Sequence, residues 1–244
     1  MESESSRTIP QSEISGQVLV IMAKAPRPGS VKTRLLANLP AEAVTHLYRC
    51  LLDDTLALAH SVRGVKVAIM CPEPDVDELR QVVGGETDVV AQQGKGLAAG
   101  LTSVFAQFTA RGGQHVIAFN SDSPHLPASI LADGFAKLAA HDVVVGPTDD
   151  GGYYLVGAKA AHATLFEGDG MGTSSAFEGL LARASSMQLS VGLTETFYDI
   201  DVKGDLTRLT AELRLVPERA PRTAVWLEQW QQALPQLRSK AGEL

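Results

Sequence analysis

The sequence predicts an α/β fold: a three-layer α/β/α sandwich in which a mostly parallel sheet lies between helices. Short apolar strands alternate with helical segments from residue 17 to residue 216, which is the order that βαβ units require. The first strand, residues 18–22, is apolar without alternation, as in a strand covered on both faces. A chain of 244 residues, 45% of them hydrophobic, suffices for one such domain.

The predicted elements follow one another closely within this domain. Strands are predicted at 18–22, 65–70, 88–91, 115–120, 142–146, 153–156 and 196–201. Helices are predicted from about residue 31, then at 40–62 and 75–83, up to 110 after a Gly-rich loop, and at 128–140, 176–184, 203–215 and 222–234. A polar tail over residues 1–16 is predicted to be disordered, and residues 217–244 to form a C-terminal helical extension.

Composition narrows the classes of function. A formal net charge of −7 argues against non-specific binding to nucleic acid, which depends on a basic surface. No apolar run reaches 18 residues, so we expect no membrane span. Residues 1–15 lack the apolar core of a signal peptide, so we expect a cytoplasmic protein. The two cysteines form no C-x-x-C pair, and neither a disulfide framework nor a zinc site is indicated.

A basic loop follows the first strand in the segment AKAPRPGSVKTRL. Its candidate nucleotide-binding residues are Lys24, Gly29, Lys32 and Arg34, because two prolines stiffen the loop and the cations face the carboxyl end of the strand, where open α/β sheets bind phosphates. It is not a P-loop, since Val31 stands where a glycine must precede the lysine. The alternative is a solvated connection that is merely basic.

Acidic residues follow two later strands. Asp122 comes after the apolar run VIAF, and Asp201 ends the motif D-I-D. Together they can supply two oxygen ligands to one Mg²⁺ or Mn²⁺, ions that bind one or two protein carboxylates plus substrate phosphates. Asp122 is also a catalytic candidate through that ion. The alternative is structural, since aspartates such as Asp201 or Asp205 commonly cap helices.

A third motif, GPTDDGGYYLVG, lies between two predicted strands. Asp149 or Asp150 can receive sugar hydroxyls or serve as a general base, and Asp150 is our catalytic candidate for contact with the sugar or acceptor. Gly151 and Gly152 allow a ligand to approach the backbone, and Tyr153 completes the candidate substrate-binding set. The alternative is a tight turn, because D-G and G-G are ordinary turn dipeptides.

The Gly-rich segment QGKG contributes two further nucleotide-binding candidates, Gly94 and Gly96. It is interpreted either as a loop that contacts a nucleobase or as the entry to the following helix.

The order KTRL, QGKG, SDSPHLP, GPTDDGGYYLVG and YDIDVKGDL resembles the GT-A (nucleotide-diphospho-sugar transferase) superfamily, and most of all its bacterial DUF2064 group of glycosyltransferase-like proteins related to phospholactate guanylyltransferase. The resemblance covers residues 17–216 and implies a Rossmann-like nucleotide-binding transferase domain. It implies metal ligation by Asp122 and Asp201, with residues 23–34 at the nucleotide. GT-A glycosyltransferases often carry D-x-D, but here Pro124 takes the second position, which leaves Asp201 to complete the site.

The sequence is compatible with three functions. The first is metal-dependent transfer of a sugar from a nucleotide-diphospho-sugar to a small acceptor. The second is a nucleotidyltransferase that joins an NTP to a phosphorylated small molecule and releases pyrophosphate. The third is a non-catalytic nucleotide-binding module. The nucleotide that binds, an NDP-sugar or an NTP, distinguishes the first two.

Overall fold

The computed structural model describes residues 16–85, 87–162, 164–167 and 174–241, with side chains up to residue 232. Seven strands form one sheet in the order β3-β2-β1-β4-β6-β5-β7. Their bounds are β1 Gly16–Met22, β2 Val65–Cys71, β3 Asp88–Ala91, β4 Gly113–Asn120, β5 Val143–Pro147, β6 Tyr153–Ala158 and β7 Val191–Leu193. Strand β6 runs antiparallel to both of its neighbours, and all other pairs are parallel. The predicted α/β class with a mostly parallel sheet is confirmed.

Helices cover both faces of the sheet. The described helices are α1 Ala41–Ser61, α2 Val76–Val83, α3 Gly96–Ala110, α4 Ala128–Ala140, α5 Ala176–Ser186, α6 Lys203–Leu213 and α7 Pro221–Ala241, of which α1 to α5 pack on the sheet. One apolar cluster joins α1, α2 and α4 to the sheet, and a second joins α3 and α5 to the opposite face. The alternating strand residues divide between these clusters, because successive side chains of a strand point to opposite faces.

A third apolar cluster lies on the outer side of α1, where α6 and α7 pack. Trp226 and Trp230 stack with ring centroids 5.5 Å apart, and Trp226 is buried in this cluster. Asp54 of α1 is buried and accepts hydrogen bonds from the backbone N–H groups of Arg222 and Thr223 at 3.2 and 2.8 Å. The carboxylate therefore caps the first turn of α7, because the first N–H groups of a helix have no hydrogen-bond acceptor within the helix itself.

Two predicted elements are wrong. The helix expected from residue 31 is only a short 3-10 helix, Thr33–Ala37, because Lys32 takes a left-handed conformation and interrupts the helical path. The strand expected at 196–201 makes only an isolated bridge, between Phe197 and Thr148. The three-residue β7 pairs with β5 instead, and its single glycine-centred run carries too little periodicity to be predicted.

Other predictions fall partly outside the described residues. The tail was predicted to extend to residue 16, but β1 begins there; residues 1–15 lie outside the described part of the chain. The same holds for 168–173 of the loop before α5. The division into a domain at 17–216 and an extension at 217–244 stays a prediction. Within the described residues, no helix is both long and apolar enough to cross a membrane.

Candidate functional site

The candidate residues meet at one edge of the sheet because of the strand directions. Parallel strands β1 and β4 are neighbours and end at Met22 and Asn120 at this edge. The basic loop leaves the first of these strands, and Asp122 follows the second. The antiparallel β6 begins at the same edge with Tyr153, and the segment after β7, which includes Asp201, returns to it. This edge is where open α/β sheets bind ligands.

Three carboxylates cluster at this edge: Asp122, Asp199 and Asp201 each offer an oxygen atom within 4.8 Å of the others. All three are partly buried. Hard carboxylate oxygens at this separation suit one Mg²⁺ or Mn²⁺ with substrate oxygens completing its coordination, so the residues present fit the expected ion. Asp199 is a member that sequence reasoning did not include, although its place in D-I-D was the available signal.

Two cations of the basic loop contact the cluster directly. Lys32 Nζ lies 2.7 Å from Asp122 Oδ2 and 2.9 Å from Asp201 Oδ1, and only 4% of its side chain is exposed. Arg34 Nη1 lies 2.7 Å from Asp201 Oδ2, with 63% of its side chain exposed. Of the three predicted phosphate-binding cations, Lys32 thus contacts both predicted metal ligands and Arg34 contacts Asp201.

Burial and these ion pairs shift the ionisation of the site. Burial raises the pKa of Asp199 to about 6; Asp201 and Asp122 add to the increase, and Lys32 opposes it. The Asp201 pKa falls below its usual value, because Lys32 and Arg34 outweigh the effect of burial. Burial lowers the Lys32 pKa, but the two carboxylates outweigh it and raise that pKa well above its ordinary value. Lys32 is therefore a permanent cation.

Asp201 is not used to cap the following helix. The carboxylate of Asp205 accepts hydrogen bonds from the backbone N–H groups of Asp201 and Val202 at 2.9 and 2.7 Å, and so takes that role at the start of α6. The two acidic loops are joined by the backbone, since the N–H of Ile200 donates to the carbonyl of Asp122 at 3.2 Å. The carboxylates are thus held together by main-chain geometry.

A cavity of about 980 Å³ opens on one side of the cluster. Its lining contains the predicted Lys24, Lys32, Arg34, Gly94 and Gly96. The described lining also contains Lys95 as a fourth cation, against the carboxylates of Glu73, Asp122 and Asp201. Gly29 does not line the cavity; with φ at 76° it forms the turn before the cationic residues. The balance of charge favours an anionic ligand.

A second cavity of about 470 Å³ also has Asp122 and Asp201 in its lining. Asp150, Gly152 and Tyr153 are in its described lining, which is otherwise largely apolar: Met22, Leu97, Leu101, Ala118, Phe119, Tyr154, Leu155, Val156 and Ala176. Asp122 and Asp201 line both cavities and Asp199 lines the smaller one, so ligands in both would meet at the acidic cluster.

The predicted D-D-G-G segment is also a well-formed turn. Asp150 Oδ1 accepts hydrogen bonds from Thr148 Oγ1 at 2.5 Å and from the Gly152 N–H at 3.1 Å. Asp149 Oδ2 accepts a bond from Arg208 Nη1 at 3.0 Å and is absent from the described lining of either cavity. The structure therefore brings Asp150, but not Asp149, to a cavity that borders the acidic cluster.

Gly151 lies where the turn meets the start of α5. Its φ is 88°, and a Cβ atom at this position would come within 2.0 Å of the Ser174 carbonyl oxygen. We expect Gly151→Ala to lower the free energy of unfolding by about 2–3 kcal/mol, because backbone has to move and φ stays strained. Urea unfolding measures this. Gly204→Ala, whose Cβ would meet nothing within 4 Å, is the control; equal losses in the two variants would contradict the steric account.

Two residues that sequence reasoning missed hold the basic loop. The Tyr48 hydroxyl of α1 accepts a hydrogen bond from the Lys24 N–H at 3.0 Å and lies 3.2 Å from Ser121 Oγ, next to Asp122. Burial raises the pKa of Tyr48 to about 12, so the hydroxyl keeps its proton. Asp75 Oδ2 accepts a bond from the Ala25 N–H at 3.0 Å. No motif marks either residue, because both contacts join distant parts of the chain.

A buried histidine lies beneath the acidic loops. His125 is fully buried against Tyr198, with ring centroids 4.5 Å apart, and neither ring nitrogen has a hydrogen-bond partner among the described residues. Glu212 Oε2 is 3.9 Å from Nε2, beyond hydrogen-bond distance. Burial, with contributions from Arg208 and Arg219, lowers the pKa of His125 to about 3. The imidazole is therefore neutral in the folded protein at neutral pH.

This histidine makes the protein sensitive to acid. Between pH 6.5 and about 3 the unfolded chain binds a proton on His125 that the folded protein does not. The unfolded state binds more protons in this window, so the free energy of unfolding falls as pH falls, by about 2 kcal/mol from pH 7 to pH 5. Urea unfolding between pH 7 and pH 5 should show that the free energy of unfolding depends less on pH in His125→Leu than in the wild type. Parallel pH profiles of the two proteins would contradict this assignment.

Comparison with known proteins agrees with the fold. Residues 55–173 match the family described as "Uncharacterized protein conserved in bacteria (DUF2064)". No curated protein sequence matches the chain significantly. A candidate nucleotide-diphospho-sugar transferase from Desulfovibrio desulfuricans G20 has a similar structure, with a TM-score of 0.84 and 24% identity over 91% of this chain and 98% of that one.

Two more distant structures share the fold. The 4-diphosphocytidyl-2C-methyl-D-erythritol synthase of Anaerococcus prevotii DSM 20548 has a TM-score of 0.57 and 11% identity over 82% of this chain and 96% of that one. The manganese complex of Rv0371c from Mycobacterium tuberculosis H37Rv has a TM-score of 0.50 and 19% identity over 80% of this chain and 98% of that one. The chain thus has the nucleotide-diphospho-sugar transferase (GT-A) fold, and its resemblance to the DUF2064 group is confirmed by the match over residues 55–173.

Proposed function

We propose that the protein is a metal-dependent transferase that moves a sugar from a nucleotide-diphospho-sugar to a small acceptor. The observation that supports this proposal is that Asp122 and Asp201 line both cavities, with Asp199 of the same acidic cluster lining the smaller one. The described lining of the larger cavity has four cations and three carboxylates, and that of the smaller one has four carboxylates, one cation and a largely apolar remainder. A donor and an acceptor bound on either side would place the reacting bond at the carboxylates.

The larger cavity suits the nucleotide diphosphate. Lys24, Lys32, Arg34 and Lys95 can meet its phosphates, and Gly94 and Gly96 allow a close approach of the ligand to the backbone. Asp122, Asp201 and Asp199 would together hold Mg²⁺ or Mn²⁺. The bound ion would supply Lewis-acid neutralisation of the diphosphate as it leaves. The cations of the loop stabilise the same developing charge.

The smaller cavity suits the acceptor. In the transfer, an acceptor hydroxyl oxygen bonds to the anomeric carbon, the bond from that carbon to the diphosphate breaks, and the hydroxyl proton goes to a base. We assign this base to Asp150, whose Oδ1 is held by Thr148 and Gly152 while Oδ2 is assigned to the acceptor. Gly152 and Tyr153 lie beside it in the cavity wall. Asp149 and Gly151 support the turn from outside the cavity.

The charges of the smaller cavity favour sugar transfer over nucleotidyl transfer. Its described lining contains four carboxylates, Asp122, Asp150, Asp199 and Asp201, and one cation, Arg34. A nucleotidyltransferase that joins an NTP to a phosphorylated substrate would need to bind a second anion there, against these carboxylates. A neutral acceptor meets no such repulsion. The nucleotidyltransferase remains the second candidate, because the Anaerococcus synthase shares the fold.

A nucleotide panel tests the proposal. The purified protein is titrated by calorimetry with UDP-glucose, GDP-mannose, UDP, GDP, GTP, CTP and ATP, with and without Mn²⁺. We expect metal-dependent binding of one NDP and its sugar conjugate, and phosphorus NMR should then show release of that NDP in the presence of an acceptor. Tight binding of one NTP and release of pyrophosphate would instead establish nucleotidyl transfer. Metal-independent binding without turnover would indicate a non-catalytic module.

A further inference from the structure

The ammonium group of Lys32 is bound to carboxylate oxygen atoms that a metal ion would need as ligands. It lies 2.7 Å from Asp122 Oδ2 and 2.9 Å from Asp201 Oδ1, which are two of the three carboxylates of the cluster. These are the distances of strong charge-assisted hydrogen bonds, and the lysine side chain is almost fully buried. The backbone of Lys32 is left-handed, with φ 47° and ψ 44°, which is uncommon for a residue other than glycine.

We propose that Lys32 is a built-in counter-ion of the metal site: it neutralises the carboxylates until a divalent cation displaces it, and it then turns to the phosphates of the nucleotide. This inference rests on the proposed function for the identity of the phosphate ligand. It adds that metal binding and diphosphate binding are coupled through one side chain. Lys32 is thus a positioning residue: its ammonium group moves from the carboxylates to a phosphate and so links metal binding to diphosphate binding.

Electrostatics requires the displacement. A divalent cation bound to Asp122 and Asp201 would lie within a few ångströms of the ammonium, and two cations at such a distance repel strongly in a partly buried site. Exchange removes this repulsion. Lys32 already lines the cavity assigned to the diphosphate, so a change of side-chain rotamer is enough to bring it to a phosphate oxygen. Arg34 is largely exposed and contacts Asp201 alone among the described carboxylates, so it does not bridge the two carboxylates as Lys32 does.

Binding of Mn²⁺ alone tests the displacement. The unbound ion is followed by electron paramagnetic resonance during titration of the wild type and of Lys32→Met, without any nucleotide. We expect K32M to bind Mn²⁺ about tenfold more tightly or better, since no ammonium has to leave the carboxylates. Lys32→Arg keeps a cation at the position and should stay within about threefold of the wild type. Lys24→Met removes an exposed lysine from the same cavity wall and should change the affinity by less than about twofold.

The phosphate side is tested with the diphosphate that binds best among UDP, GDP, CDP and ADP. Saturating Mn²⁺ should raise its affinity more in the wild type than in K32M, because the variant has no ammonium to transfer. Equal enhancement in both proteins overturns the coupling. If K32M loses stability without its cation, the shift of its unfolding temperature by Mn²⁺ reports the same affinity and should exceed the wild-type shift.

The two proposals fail separately. An Mn²⁺ affinity of K32M that equals or falls below that of the wild type overturns the displacement, whatever the reaction proves to be. A tenfold gain in K32M together with no sugar transfer supports the displacement and overturns only the proposed function.

Discussion

Asp122→Asn is expected to lower metal-dependent turnover at least about 1,000-fold. The substitution removes one of the three carboxylates that can hold the ion and weakens the contact with Lys32, which Asp201 still binds at 2.9 Å. Because that second partner remains, the free energy of unfolding should fall by only about 1–2 kcal/mol. Steady-state rates with the donor found in the nucleotide panel, and urea unfolding of the same preparation, measure both effects.

The control for this variant is Asp133→Asn. Asp133 of α4 is partly exposed, pairs with Lys137 one helical turn away, and is absent from the described lining of either cavity. It undergoes the same chemical change and should retain full turnover. The metal assignment would be wrong if Asp122→Asn turned over within tenfold of the wild type at saturating Mn²⁺.

Asp54→Ala should lower the free energy of unfolding by about 3 kcal/mol. The carboxylate is 2% exposed and caps the first turn of α7 through two backbone N–H groups. Its loss leaves those donors buried without partners and opens a space between α1 and α7. Burial raises the pKa of Asp54, and the hydrogen bonds from Thr223 and Arg222 oppose this shift. These hydrogen bonds therefore stabilise the charged form of the buried carboxylate.

Asp53→Ala is the matched comparison. This neighbouring aspartate of α1 is partly exposed. It pairs with Arg49 at 3.0 Å and only loosely with Arg222 of α7, at 3.8 Å, so its loss should cost less than about 1 kcal/mol. Circular dichroism at increasing urea concentrations distinguishes the two variants. Equal destabilisation would show that α7 does not depend on the buried cap and that its packing through Trp226 alone holds it.

Most of the strands and helices could be predicted from the sequence. Apolar strand segments alternate with helical segments, and acidic or glycine-rich motifs mark where the strands end. Residues 65–71 and 128–140 illustrate this, because a buried strand and an amphipathic helix each display their period locally. Prediction failed at residues 31–37 and 196–201. At the first, the left-handed conformation of Lys32 is held by ion pairs to residues far along the chain. At the second, competition from β7 for the edge of β5 decided the outcome.

The sequence by itself determined the fold class and the identity of the acidic and basic groups that follow the strands, since both are written in local spacing. Only the tertiary structure decided which of these groups meet. Lys32 and Asp201 are 169 positions apart, and they come together because β1, β4 and β5 run parallel and the segment after β7 returns to the same edge. Such a contact depends on strand order and on side-chain burial, and no local pattern carries either property.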